Sequence, residues 1–300
     1  MQLLYSKNRD TELTLSALLQ RYENYGKRTF ELYLFNLHQL FEVAHYSVKD
    51  EVNRRAKLLP KDSDIKFSPK LYRNEILDEF FQSGRYDKAI KKYMIAGRTE
   101  EDTTRLYYQK FFETPAYKKY LEVDNNTAEE HRQILIELYR FLYTSESFSE
   151  QMEDFSPSWI DDETLIVGAT KKTLKALPYD KEFYDEFSDE DHLTVEFGEQ
   201  LLTKTYKNDS ALLEEIKPML KNWEADRVAT IDMILMKMAL CELVDFPTIP
   251  TKVTINEYVD ISKLYSTDKS KDFVNGILDR LMKKLKDEDK IQKEGRGLVE

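Results

Sequence analysis

The sequence predicts an all-α fold, and three observations carry that reading. Only 8 Gly and 8 Pro punctuate 300 residues. Leu, Lys, Glu and Tyr are abundant. Apolar residues recur every three or four positions along most of the chain, and few segments show the two-residue alternation of a half-buried strand.

The elements follow in order. Leu3 to about Leu59 reads as two helices. The first includes LTLSALLQRYENY; the second spans FELYLFNLHQLFEVAHYSVKDEV and ends before Pro60. Residues 61–69 form a polar linker. Short helices over Leu71–Phe81 and Tyr86–Ala96 are separated by Ser83-Gly84. Thr99–Tyr120 and Ala128–Tyr143 predict two more, and in the latter Ile134, Leu138 and Leu142 line one face. Pro157 breaks the pattern. Asp161 then opens DDETLIVGATKKTLKAL, with acids first and lysines last, the order that suits a helix dipole.

Leu193–Tyr206, Ser210–Lys217 and VATIDMILMKMALCEL come next. The last of these is apolar round most of its circumference, as a helix central to a core should be. FPTIP connects it to VTINEYVDISKLY, and the loop STDKS leads into KDFVNGILDRL with Ser270 as the expected N-cap. In that final helix Phe273, Ile277, Leu281 and Leu285 fall four apart, although Asn275-Gly276 is a turn signal. The charged end, from Asp287 on, is expected to fray into disorder.

Net charge is −11, which disfavours strong unaided binding to nucleic acid. The charge is uneven. Tyr179 to Gln200 is densely acidic, whereas Lys269, Lys271, Arg280, Lys283, Lys284 and Lys286 give the C-terminal helical region a basic side. The longest apolar run falls short of the roughly 20 residues of a membrane span, and MQLLYSKNRD lacks the features of a signal peptide. The single cysteine, Cys241, excludes an internal disulfide, and a cytoplasmic location is expected.

Enzyme signatures are absent: the sequence holds no GxGxxG, P-loop or nucleophile elbow. Cys241 lies on the most apolar helix and reads as core. Glu42 and His45 have the Glu-x-x-His spacing of helical di-iron sites, but the only second pair is Asp189 with His192, so a half-exposed helix face is the favoured reading. The 19 Tyr, 16 Phe and 2 Trp could stack on bases, but their helical spacing favours core packing. Lys88, Lys91, Lys92, Lys118 and Lys119 read as a solvated face before they read as an RNA contact.

One combination is more specific. MALCEL, then IPTKVTINEYVDISKLYS, then DFVNGILDRL resembles the C-terminal half of the NusB family of bacterial transcription antitermination factors. The family carries A-x-x-E-L, an I/V-P connector, V-x-I-N-E-x-V and F-V-N-G-x-L-D in that order. MQLLYS also resembles the family's Q-x-L-Y. The resemblance is good over Trp223 to Leu285, and the long middle resembles the lengthened members of the Bacteroidetes group. It implies a NusB-like helical bundle with an expanded helical middle region: N-terminal helices of that fold over 1–60, the expansion over 61–155, a C-terminal NusB-like region over 156–286 and a charged tail over 287–300.

The resemblance further implies an adaptor, with no catalytic residue, cofactor or metal. It would pair with NusE, a small-subunit ribosomal protein, bind boxA RNA, and join the RNA polymerase elongation complex with other Nus factors, so that termination is resisted on ribosomal RNA operons. The RNA face implied is Gln2, Tyr5, Lys269, Lys271 and Phe273; the NusE face is Asp226 and Asp232. Asn256, Glu257, Asn275 and Gly276 are expected to be structural. In particular, Gly276 is expected where a neighbouring helix crosses too closely for a side chain, and the two asparagines to bond helix ends. Family members begin with an arginine-rich turn ahead of Q-x-L-Y. Here Met1 precedes Gln2, so either the start lies upstream or this version binds RNA poorly. A helical accessory module of an RNA cytosine methyltransferase and a plain helical scaffold are the alternatives.

Overall fold

The structure is a computed structural model, in which residues 1–178, 192–220, 224–267 and 269–294 are described. Among them there are fifteen α-helices and no strand. They are α1 (Gln2–Arg9), α2 (Leu15–Arg55), α3 (Asp62–Ile65), α4 (Glu75–Gln82), α5 (Arg85–Lys92), α6 (Glu101–Phe112), α7 (Pro115–Glu122) and α8 (Ala128–Tyr143). Then come α9 (Glu146–Phe155), α10 (Trp159–Ala176), α11 (His192–Lys207), α12 (Asp209–Ile216), α13 (Thr230–Asp245), α14 (Thr251–Tyr265) and α15 (Ser270–Asp287).

The chain divides into two compact units, Met1–Asn24 with His192–Glu300 and Tyr25–Asp191. These boundaries differ from those expected at 60 and 155. The first 59 residues are also organised differently: the two expected helices are one, α2, which begins at Leu15 and runs unbroken through Gly26, while Gln2–Arg9 form the separate α1. Gly26 is exposed, so its helix cost of about 1 kcal/mol is met by apolar residues further along the same helix. Conversely, the single helix expected over Thr99–Tyr120 is two. Thr114 accepts a bond from the Tyr117 amide and Pro115 takes the first turn of α7, a start signal inside the apolar pattern.

The unit Tyr25–Asp191 has its own core, rich in aromatic rings. Phe41 packs against Phe80, Phe81 and Tyr86. Tyr108 donates to Asp50 at 2.9 Å, and Asp50 also holds Arg54, whose guanidinium lies 4.6 Å from the ring centres of Phe67 and Phe112. α8 is capped by Thr127 and Glu130 in a reciprocal box, and packs on α10, α9, α7, α6 and α4. Core packing thus accounts for most of the aromatic residues.

The other unit is built round α13, which packs against α1, α11, α12, α14 and α15. Its core joins Leu3 and Leu4 of α1, Leu18 of α2 and the apolar stripes of α11 to α15. Cys241 is part of it, and burial pushes the thiol up to about 12. The charged end expected to fray is docked as far as Glu294. The Glu294 amide donates to the Pro247 carbonyl at 2.9 Å, and Lys290 pairs with Glu215 at 3.2 Å. Lys293 donates to the Glu242 and Phe246 carbonyls at 3.2 and 2.8 Å. A cation on the last carbonyls of α13 satisfies groups that the helix leaves open, and this holds the tail.

Candidate nucleic-acid and partner interface

Every candidate residue lies in the unit built round α13. At the N-terminal end, Gln2 is exposed and Tyr5 half-buried on α1. The Tyr5 hydroxyl accepts bonds from Arg9 Nε at 3.1 Å and Nη2 at 3.0 Å, and the guanidinium lies 5.4 Å from the ring centre. Arg9 sits one turn beyond Tyr5, so this end of α1 carries a cation on its aromatic ring. The expectation of arginine ahead of Gln2 does not cover this residue, which follows the Q-x-L-Y motif.

At the start of α15, Lys269 and Lys271 are exposed on either side of buried Ser270. Phe273 is half-buried against the core, so only part of its ring faces outward. Ser270 is the first residue of the helix and not its cap. Its hydroxyl is turned inward. It donates to Asp232 Oδ2 at 2.7 Å, accepts from the Thr267 amide at 3.2 Å, and lies 2.9 and 2.8 Å from the hydroxyls of Ser266 and Thr267.

Asp232 is therefore not an exposed partner contact. It is 4% exposed, in the first turn of α13, and ties the loop before α15 to the central helix. The cause is a bond between residues far apart in the chain: the Asp232 carboxylate accepts the buried Ser270 hydroxyl, and this turns it inward. Asp226 is exposed, on a single 3₁₀ turn ahead of α13. It lines a cleft of about 660 Å³ with Lys7, Tyr206 and Lys237. Lys237 is itself 8% exposed and paired with Asp209 at 2.6 Å.

The four residues expected to be structural are placed differently. Asn256 and Glu257 of α14 and Asn275 of α15 are exposed. Gly276 faces open space: a β-carbon there would meet nothing within 4 Å. The close-crossing reason for this glycine is thus overturned. The tight approach in this unit is at Gly198 of α11, where a β-carbon would run into the Tyr22 hydroxyl.

The structural work of the motifs falls to their neighbours. Glu242, from A-x-x-E-L, is 5% exposed and accepts from the Thr254 hydroxyl and the Tyr258 hydroxyl, both at 2.8 Å. Thr254 and Tyr258 sit one turn apart on α14, so one carboxylate fixes that helix on α13. The periodic pattern hid this, since it marks faces and not which acid on a face is buried.

The comparisons agree with the motifs. The NusB family matches residues 166–283. The transcription antitermination protein NusB of Salinibacter ruber is 41% identical over 111 residues, which are 37% of this chain and 69% of that protein. The chain belongs to the NusB family. NusB of Natranaerobius thermophilus is 31% identical over 127 residues, 39% of this chain and 91% of that protein. NusB of Chloroherpeton thalassium is 49% identical over 79 residues, 26% of this chain and 37% of that protein. A solved structure of T. maritima NusB aligns at 25% identity over 57% of this chain and 92% of that one, with a TM-score of 0.28, too low to place any element. The family match leaves residues 25–165, most of the aromatic unit, outside it. Among the described residues no group of three His, Cys, Asp or Glu could hold a metal, and the pair Asp189 and His192 lies outside the described side chains. No described helix is long and apolar enough to cross a membrane.

Proposed function

We propose that this NusB family member is a transcription antitermination factor that acts as an adaptor, pairing with NusE and binding boxA RNA in the elongation complex of RNA polymerase. The observation that carries the reading is the seat of α15. Buried Asp232 fixes Ser270, and the exposed Lys269 and Lys271 on either side are held at a helix N-terminus. Two ammonium groups at a helix N-terminus suit a phosphate backbone. Gln2, Tyr5 with its Arg9 cation, and the open part of Phe273 add stacking and polar contacts. Asp226, at the rim of the 660 Å³ cleft, is the acid offered to a basic ribosomal protein.

Co-purification with NusE, followed by titration with boxA RNA at several salt concentrations, tests the proposal. The joint complex should bind with a clear salt slope. Lys269→Ala with Lys271→Ala should lower that slope by roughly 1.4, the value for two single-strand phosphates. A chain that does not associate with NusE overturns the reading.

A further inference from the structure

Residues 85–98 lie in the unit Tyr25–Asp191, outside the family match. They carry Arg85, Lys88, Lys91, Lys92 and Arg98 against Asp87 alone, in a chain of net charge −11. Arg98 is paired with Glu31 at 3.9 Å. The three lysines differ from it. They fall at i, i+3 and i+4 on α5 and so share one face of the helix, turned away from the buried Tyr86, Ala89 and Ile90. All three are exposed. No carboxylate pairs with any of them among the described residues, neither Asp87 of the same helix nor Glu75, Asp78 and Glu79 of the adjacent α4. The helix dipole favours Lys91 and Lys92, which lie in the last turn. It does not favour a third lysine one turn ahead of both, where like charges repel, so the fold gains little from Lys88.

The end of the helix adds an independent sign. Half-buried Tyr93 is its C-cap, with the Lys92 ammonium 5.0 Å from the ring centre. Met94 follows with φ of 51°, the left-handed backbone that glycine usually supplies just past a helix. Its amide donates to the Lys91 carbonyl at 3.2 Å and the Ile95 amide to the Ile90 carbonyl at 3.0 Å, so the chain turns sharply and Ile95 is buried. The Met94 side chain is left 74% exposed. A strained backbone that holds an apolar side chain out in water brings the fold nothing, and such strain gathers where a surface is used.

We propose that α5 and the turn after it dock single-stranded RNA, with Lys88, Lys91 and Lys92 on its phosphates and the open parts of Tyr93 and Met94 against its bases. Cations one turn apart suit a chain whose charge repeats at every nucleotide. A ring beside an apolar side chain takes bases without choosing among them, so the contact carries no sequence preference. A duplex keeps its base faces stacked and leaves Met94 without a partner. An acidic protein segment offers carboxylates but no series of flat rings. Unpaired RNA is the occupant that uses the lysines, the ring and the methionine together. The inference goes beyond the NusE and boxA reading, since no residue of the other unit takes part and its test needs neither partner.

A labelled oligouridylate, which holds no boxA, would be titrated by fluorescence anisotropy into the full chain without NusE. Lys269→Ala and Lys271→Ala would be present throughout, to weaken the other RNA face. Binding should be measurable and fall with salt. Adding Lys88→Gln, Lys91→Gln and Lys92→Gln should weaken it about tenfold or more and lower the salt slope by roughly 2, the value for three single-strand phosphates. Removing the same charge at Lys110, Lys118 and Lys119, exposed on α6 and α7, should leave both unchanged. Met94→Gly should raise the denaturation midpoint, because glycine adopts that backbone freely, and yet weaken RNA binding several-fold. A purely structural residue would not move the two in opposite directions. An oligoglutamate of equal charge should bind about fivefold more weakly or worse. Equal loss from the control lysines would mean that net charge alone attracts RNA, and would overturn the site. So would equal affinity for oligoglutamate, which makes an acidic protein the occupant, or RNA binding unmoved by the three α5 substitutions.

Discussion

Ser270 Oγ and Asp232 Oδ2 lie 2.7 Å apart, one at the start of the last helix and the other in the first turn of the central helix. The bond joins the start of α15, where Lys269 and Lys271 lie, to the most buried element of its unit. The other carboxylate oxygen, Oδ1, is buried without a partner. Asp232→Ala should therefore cost about 1–3 kcal/mol, the penalty for a buried hydroxyl that loses its acceptor. Asp232→Asn keeps an acceptor and removes a buried charge, so it should cost less than about 1 kcal/mol. Urea unfolding ranks the two. If Ala were as stable as Asn, the anchor would be idle.

A larger effect is expected at Glu242, which holds both Thr254 and Tyr258. Glu242→Ala strands two buried hydroxyls and removes charge-assisted bonds, a loss of about 3–5 kcal/mol. Tyr258→Phe removes one of those bonds and should cost about 1.5–3 kcal/mol. Because the residues share one interaction, the double variant should be less destabilised than the sum. Additive losses would show that the carboxylate and the phenol act separately.

Two glycines separate what a sequence can and cannot show. Gly276 interrupts a strong helical stripe, and the stripe correctly outweighed the turn signal: α15 runs through it. Its local reason was not legible, because that depends on what another helix brings near. Nothing comes near Gly276, whereas Tyr22 comes upon Gly198, a contact between residues far apart in the chain. The same limit explains Asp232 and Glu242. Helical period placed α13 at the centre of its core and fixed the Thr127-capped α8, both local properties. It could not say which acids fold inward, nor that Lys293 would return to the end of α13 and hold the tail.

The glycines themselves give opposite predictions. Gly276→Ala enters open space in a helix interior and should stabilise by about 0.5–1 kcal/mol. Gly198→Ala meets the Tyr22 hydroxyl and must displace that half-buried ring, so overpacking of about 1–3 kcal/mol opposes the same helix gain. In a Tyr22→Ala background the clash disappears, and Gly198→Ala should become stabilising. A sign change between the two backgrounds, measured by denaturant midpoint, is the diagnostic; the same effect in both would remove the contact from the explanation.

The two buried histidines of the aromatic unit set a pH window. His38 Nδ1 lies 2.8 Å from the Tyr86 hydroxyl and His131 Nδ1 lies 2.7 Å from the Tyr120 hydroxyl. Burial lowers both below the ordinary 6.5, against a smaller upward pull from Glu42 on His38 and from Glu75 on His131. Below 6.5 the unfolded chain takes up protons that the folded chain refuses, so the unfolded state binds more protons and stability rises with pH. Stability should accordingly be full near pH 7 and fall as the pH drops through 6.5 towards the folded values, by up to about 1.4 kcal/mol per pH unit for each ring. The carboxylates held low by their partners, Glu215 beside Lys284 and Lys290 among them, lose their contribution only at lower pH, through and below the ordinary carboxylate range. The windows are thus separable. Titration of the two imidazole rings by NMR should give midpoints below 6.5, and His38→Gln with His131→Gln should flatten the stability profile between pH 7 and roughly 5 while leaving the steeper acid limb in place.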